Sequence, residues 1–208
     1  MKTVLFVLLD LYADWEAAPL AAVINPTPGW RVKTAAPGGA AVRSIGGFAT
    51  VPDYSLEQAL AEKFAGIVLV GGMSWRIDAA KAVAPLARRA VENGIPLGAI
   101  CDATVFAGTL GLLNGIPHTS NMLDDLKSYA GADYTGEKYY RNEPAVRSGG
   151  LVTANGSAAM EFSREMLVAL DLMDEEDAGR WYRLFTKGFY EAQQEAFWWF
   201  DRLNAKRD

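Results

Sequence analysis

The chain has 208 residues, half of them hydrophobic, with 20 Lys and Arg against 25 Asp and Glu and a formal net charge of −5. This content supports one sizeable core and excludes a disordered chain. The dispersed, slightly acidic charge leaves no basic footprint for nucleic acid. The one cysteine, Cys101, has no partner for an intramolecular disulfide, which points to a reducing, cytoplasmic setting.

Val4 to Leu9 is the first apolar run. It is too short for a membrane span, and Asp10 interrupts it without a convincing cleavage site, so it reads as a buried strand. Trp15 to Ile24 follows with helical spacing, which Asp14 can cap, and Pro26 and Pro28 stop it. Trp30 to Ala36 reads as a second strand, and residues 41–51 as a hairpin around Gly46-Gly47. Asp53 or Ser55 can cap a helix from Leu56 to Lys63. Ile67 to Val70 is continuously apolar, as a strand covered on both faces is, and ends in Gly71-Gly72. Arg76 to Asn93 reads as one helix stopped by Asn93-Gly94.

Ile95 to Ile100 then reads as a strand that turns sharply at Cys101 into a helix from Ala103 to about Leu112. A further helix spans Met122 to Tyr129 and a polar, turn-rich stretch runs from Gly131 to Pro144. Ala145 to Arg147 and Leu151 to Ala154 form a hairpin, and Asn155-Gly156-Ser157 caps a helix through Leu170. Strands alternating with helices give an α/β domain with a parallel, helix-covered sheet. In the tail, Trp181, Phe185, Phe189, Phe197 and Phe200 recur about every four residues and mark one face of a long helix. This divides the chain into a domain over residues 1–173 and an aromatic-rich helical extension over 174–208, packed on that domain. A subunit interface or a lid are the other readings of that face.

The chemistry gathers at three strand ends. Cys101 is flanked two residues away on each side by Ala99 and Ala103, the small residues that a sharp strand-to-helix elbow needs. Free cysteine also packs as a small hydrophobe, which is the plainer account of the residue. Gly71-Gly72 closes a neighbouring strand and Glu16 opens the helix after the first, so a parallel sheet puts all three on one edge. A helix N-terminus favours the thiolate. The Gly72 and Asp102 N–H groups can hold an oxyanion, and a buried glutamic acid beside a thiolate is driven toward its neutral form. His118 is the one histidine and the one candidate imidazole base. An inward-pointing Asp102 carboxylate would oppose thiol ionisation. No cluster of His, Cys and carboxylates has metal-ligand spacing, so neither a metal nor another cofactor is expected.

Trp15-Glu16, Val68-Leu69-Val70-Gly71-Gly72, Ala99-Ile100-Cys101 and Val152-Thr153-Ala154-Asn155-Gly156-Ser157 with Glu161-Phe162, taken in order, resemble the ThiJ/PfpI superfamily of class I glutamine-amidotransferase-like proteins. The resemblance spans about residues 3 to 170, and the stretch His118-Thr119-Ser120-Asn121 is most similar to an amidase-like bacterial branch. It implies a flavodoxin-like three-layer α/β/α sandwich with a mostly parallel sheet, here with an added C-terminal helix. It also implies Cys101 as the reactive thiol, Glu16 as its carboxylic partner, Gly72 as an oxyanion donor, and a homodimer. Two departures matter. Asp102 stands where the protease members carry histidine, and no His-x-Glu pair follows His118, which argues against ammonia transfer from glutamine.

The expected function is a cysteine-dependent hydrolase of amidase or peptidase type, acting on a small-molecule or peptide substrate. Its catalytic residues are Cys101, Glu16 and His118, with Gly71, Gly72 and Asp102 binding the oxyanion and substrate. Thiol chemistry on α-oxoaldehydes, with Glu16 shuttling protons, is one alternative. A redox-stress sensor working through oxidation of Cys101 is another.

Overall fold

In the computed structural model, residues 1–204 are described. The elements in chain order are β1 (Lys2–Val7), α1 (Asp14–Ile24), β2 (Trp30–Ala36), β3 (Val42–Arg43), β4 (Ala49–Thr50), β5 (Tyr54–Ser55), α2 (Leu56–Ala61), β6 (Gly66–Leu69), α3 (Ala84–Glu92), β7 (Leu97–Ile100), α4 (Asp102–Thr109), α5 (Leu123–Ala130), β8 (Ala145–Ser148), β9 (Leu151–Ala154), α6 (Ala159–Ala169), α7 (Glu175–Glu191) and α8 (Gln193–Asn204). A seven-stranded sheet runs β5-β2-β1-β6-β7-β9-β8. Its neighbours are parallel except at one edge, where β8 returns antiparallel along β9.

Alternation along the strands builds two cores. Val4 and Phe6 of β1, Val68 of β6, Ile100 of β7 and Val152 of β9 face Leu20 of α1, Phe162 of α6 and Trp181 of α7. Leu5 and Val7, Ile67 and Leu69, Leu97 and Ala99 point the other way, onto Leu56, Leu86, Val105 and Leu126 of α2 to α5. A sheet covered on both faces is the three-layer, flavodoxin-like sandwich that continuously apolar strands require.

Several local expectations are corrected. Residues 76–93 do not form one helix: a tight 3₁₀ turn at Asp78–Val83 precedes α3, which starts afresh with Pro85 in its first turn. Ser55 caps α2 through a reciprocal box with Gln58, while Asp53 instead accepts from Thr34 and Lys33. Asp14 is the first residue of α1 and accepts from Gly46 N–H at 2.8 Å, so Ala13 occupies the cap position. Asn155 likewise binds Ser157 in a local turn, and α6 begins only at Ala159.

The tail is two helices, broken at Gly188 (φ 79°) and Ala192. Its buried face is Ala178, Trp181, Leu184, Ala192, Ala196 and Trp199, which join the core on the α1/α6 side. Phe185, Phe189, Phe197 and Phe200, expected on that face, are about half exposed or more. The four-residue recurrence mixed an inner and an outer face, already between Trp181 and Phe185 before the break.

Candidate active site

Cys101 follows the last residue of β7 and immediately precedes α4, with φ 59° and ψ −130°. Few residues other than glycine adopt such a backbone, and where they do the strain usually serves a site. The corner is held from both sides: Cys101 N–H donates to Ala154 of β9, and Cys101 carbonyl accepts from Thr104 of α4. The sulfur therefore sits at the carboxyl edge of the central strands, at the start of a helix.

Glu16 reaches the same point from the first turn of α1 and is fully buried. Gly71 separates it from the thiol. A Cβ at Gly71 would collide with Glu16 Oε2 and lie 2.5 Å from Cys101 Cβ, so only glycine admits this approach. Neither Glu16 oxygen has a partner at hydrogen-bond geometry among the described residues. A carboxylate left in that state binds its proton tightly. Burial pushes Glu16 up to about 7, against the pull of its polar neighbours, the Cys101 thiol and Gly71 N–H. Burial also pushes the thiol up, and the negative charge of Glu16 adds to the rise. Asn121 and the Asp102 N–H pull it back down. The two acids thus compete for ionisation, and near neutral pH the pair retains a proton between them.

Asn121 was not singled out from the sequence as a site residue. Its Nδ2 donates to Cys101 Sγ at 3.4 Å, and its Oδ1 accepts from Gly156 N–H at 2.8 Å, which fixes the amide orientation. Gly156 is equally tight: a Cβ there would lie 2.8 Å from Sγ and 3.1 Å from Glu16 Oε1. Trp15 locks this wall by donating from its indole to Gly156 carbonyl at 2.9 Å. Trp15, Glu16, Cys101, Asn121, Asn155, Gly156 and Ser157 line an open cleft of about 630 Å³.

The other expected residues divide. Gly72 sits beside Tyr12 with φ 149°, and a side chain there would strike Leu11 carbonyl. The segment is pinned by Ala13 N–H on Gly71 carbonyl and Met73 N–H on Leu11 carbonyl. Asp102 turns its carboxylate to Arg76, which holds it through Nε at 2.9 Å and Nη2 at 2.5 Å. Its N–H serves the sulfur.

His118 is not brought to the thiol. It is fully buried, with Nδ1 on Ile116 carbonyl and Nε2 on Tyr134 hydroxyl, both at 2.7 Å. Tyr134 and Tyr140 pack edge-on around the ring. Burial depresses its pKa, so the ring is neutral and structural. Its segment still matters, because Asn121 lies three residues further along. Among the described residues no group of three His, Cys, Asp or Glu side chains is arranged to hold a metal ion, and no helix is long and apolar enough to cross a membrane.

The chain is 38% identical over 192 residues to the uncharacterized protease YdeA of Bacillus subtilis, covering 91% of this chain and 94% of that one. It is 32% identical over 179 residues to the uncharacterized protease YoaZ of the same organism, covering 83% and 85%. The solved DJ-1 superfamily protein Atu0886 of Agrobacterium tumefaciens superposes with a TM-score of 0.82 at 35% identity, over 90% of this chain and 98% of that one. A ThiJ/PfpI family protein of Bacillus anthracis gives 0.85 at 28%, over 94% and 97%. With residues 2–169 matching throughout, from β1 to the last residue of α6, the chain belongs to the DJ-1/PfpI family.

Proposed function

We propose that the protein is a cysteine-dependent hydrolase of amidase or peptidase type, with Cys101 as nucleophile and Glu16 as its proton partner. The observation that carries this reading is the fully buried Glu16 carboxyl set directly against a strained, cleft-exposed thiol. The protease names carried by the two Bacillus relatives favour the same chemistry.

In the first step Cys101 Sγ attacks the substrate carbonyl carbon while the thiol proton passes to Glu16. The carbonyl electron pair moves onto oxygen, where the Gly72 and Asp102 N–H groups stabilise it. Collapse breaks the carbon–nitrogen bond, and the departing amine takes the proton from Glu16. Water then cleaves the thioester, releasing a carboxylic acid and restoring the thiol. Glu16, with a pKa near neutrality, does the work for which His118 is badly placed.

The test is turnover of a panel of chromogenic amides and esters by wild type, Cys101→Ser and Glu16→Gln. Sustained turnover lost in the serine variant and an acyl-enzyme trapped by mass spectrometry support the reading. Equal rates in wild type and Cys101→Ser would sink it. The proton-holding Glu16 also favours a second reading, in which the thiol adds to an α-oxoaldehyde, a proton moves between the adjacent carbons to give a 2-hydroxy thioester, and water cleaves that thioester to release the 2-hydroxy acid and restore the thiol. Lactate formed from methylglyoxal would select it.

A further inference from the structure

Arg76 lies just beyond the Gly71-Gly72 turn, and its guanidinium joins three separate pieces of the site's support. Nε and Nη2 fork onto the Asp102 carboxylate at 2.9 Å and 2.5 Å. Nη1 and Nη2 fork onto Asp125 of α5 at 3.1 Å and 2.6 Å. Tyr129, one turn further along α5, lies under the guanidinium at 4.8 Å and donates its hydroxyl to Arg76 carbonyl. Asp102 is only 14% exposed at its side chain, so its ion pair is shielded more than a surface bridge is.

The placement of Asp102 gives this clamp its meaning. Asp102 is the first residue of α4, directly after Cys101, so its backbone N–H lies at the helix start beside the thiol and favours the thiolate, and it supplies the carboxylate nearest to the thiol in sequence. A second uncompensated carboxylate there would act on the sulfur with the same sign as Glu16. Arg76 neutralises that carboxylate and, through the same fork, holds the α4 start against the segment that carries Gly72.

We propose that Arg76 is a positioning residue for the Cys101 site, holding Asp102 so that its N–H meets the sulfur while its carboxylate is turned away and compensated. The inference rests on Cys101 being the working thiol and is independent of hydrolysis. The groups that act on the sulfur are Glu16 from α1, Asn121, and the Asp102 N–H. Those facing Arg76 are Asp102 of α4 and Asp125 and Tyr129 of α5. Glu16 is unchanged in every variant of the test.

The experiment measures the rate of Cys101 alkylation by iodoacetamide against pH, with melting temperature recorded for each protein. Arg76→Met should raise the alkylation midpoint by about 0.5 to 1 pH unit, or ~3- to 10-fold slower reaction below the midpoint, as expected for one uncompensated charge in a partly screened site. Arg76→Lys, which keeps the charge but loses the fork onto Asp102 and Asp125, should shift the midpoint less than Arg76→Met does. Combining Arg76→Met with Asp102→Asn should return the midpoint toward wild type, because the stranded charge is gone. An unmoved midpoint in folded Arg76→Met, or equal shifts in the single and double variants, would overturn the proposal and leave Arg76 a structural tie. Because alkylation needs no turnover, a protein that hydrolyses nothing still tests it.

Discussion

Asn121 and Cys101 meet as donor and acceptor, with the amide held in register by Gly156, so the sulfur faces an oriented dipole that favours its charged form. Removing that dipole in Asn121→Ala should raise the alkylation midpoint of Cys101 by about one pH unit, since hydrogen bonds to charged groups contribute roughly 1.5–3 kcal/mol and sulfur accepts at the weak end. Alkylation kinetics across pH check it, with unchanged kinetics as the contrary result.

Glu16 makes stability depend on pH in a stated direction. Its pKa is raised from 4.5 to about 7 on folding, so the folded state binds the proton more tightly. The resulting stabilisation is fully present below about pH 4.5 and is lost as pH rises through 7. Glu16→Gln should abolish this slope and be the more stable protein above pH 7, by up to about 3 kcal/mol. Denaturant melts of both proteins at pH 4, 6 and 8 would show parallel curves if the carboxyl is not buried as described.

His118 should matter for stability and little for the thiol. His118→Ala removes two buried hydrogen bonds and leaves Tyr134 hydroxyl without its partner, at a cost of about 2–4 kcal/mol. The alkylation midpoint of Cys101 should move by less than about 0.3 units. A large midpoint shift would restore the ring as a proton acceptor for the sulfur.

Gly156→Ala should close the site without unfolding the chain. The added methyl would lie 2.8 Å from Cys101 Sγ and 3.1 Å from Glu16 Oε1, inside van der Waals contact with the sulfur, at a residue that lines the cleft. At least a tenfold loss of thiol alkylation (about 1.4 kcal/mol) with little change in melting temperature is expected.

The C-terminal helices are integral to the core through Trp181 and Trp199, which are 1% and 8% exposed. Trp181→Ala should cost about 3–5 kcal/mol. Truncation at residue 174 should expose α6 and abolish a cooperative melt. A truncated chain that melts as sharply as the full one would make the tail an accessory.

The sheet and the meeting of Cys101, Glu16 and Gly71 were legible because each depends on a local signal. Continuous apolar runs give buried parallel strands, and small residues at fixed offsets give the elbow. Asn121 was illegible because its role depends on where a loop crosses the sheet edge, which no periodicity encodes. His118 misled for the converse reason. Histidine suggests proton transfer by its chemistry, and only the positions of Ile116 and Tyr134 show both nitrogens already engaged. The tail misled because a strict four-residue spacing drifts off the buried face, leaving Phe185 exposed beside buried Trp181, and because Gly188 interrupts the helix beyond them.

The backbone at Cys101, with φ 59° and ψ −130°, is one that glycine adopts freely and cysteine adopts under strain of about 1–3 kcal/mol. The fold therefore carries a standing conflict at its centre. A library of this protein screened for thermal resistance alone would be drawn toward glycine at position 101. A screen for reactivity would restore the thiol and, with it, a less stable molecule.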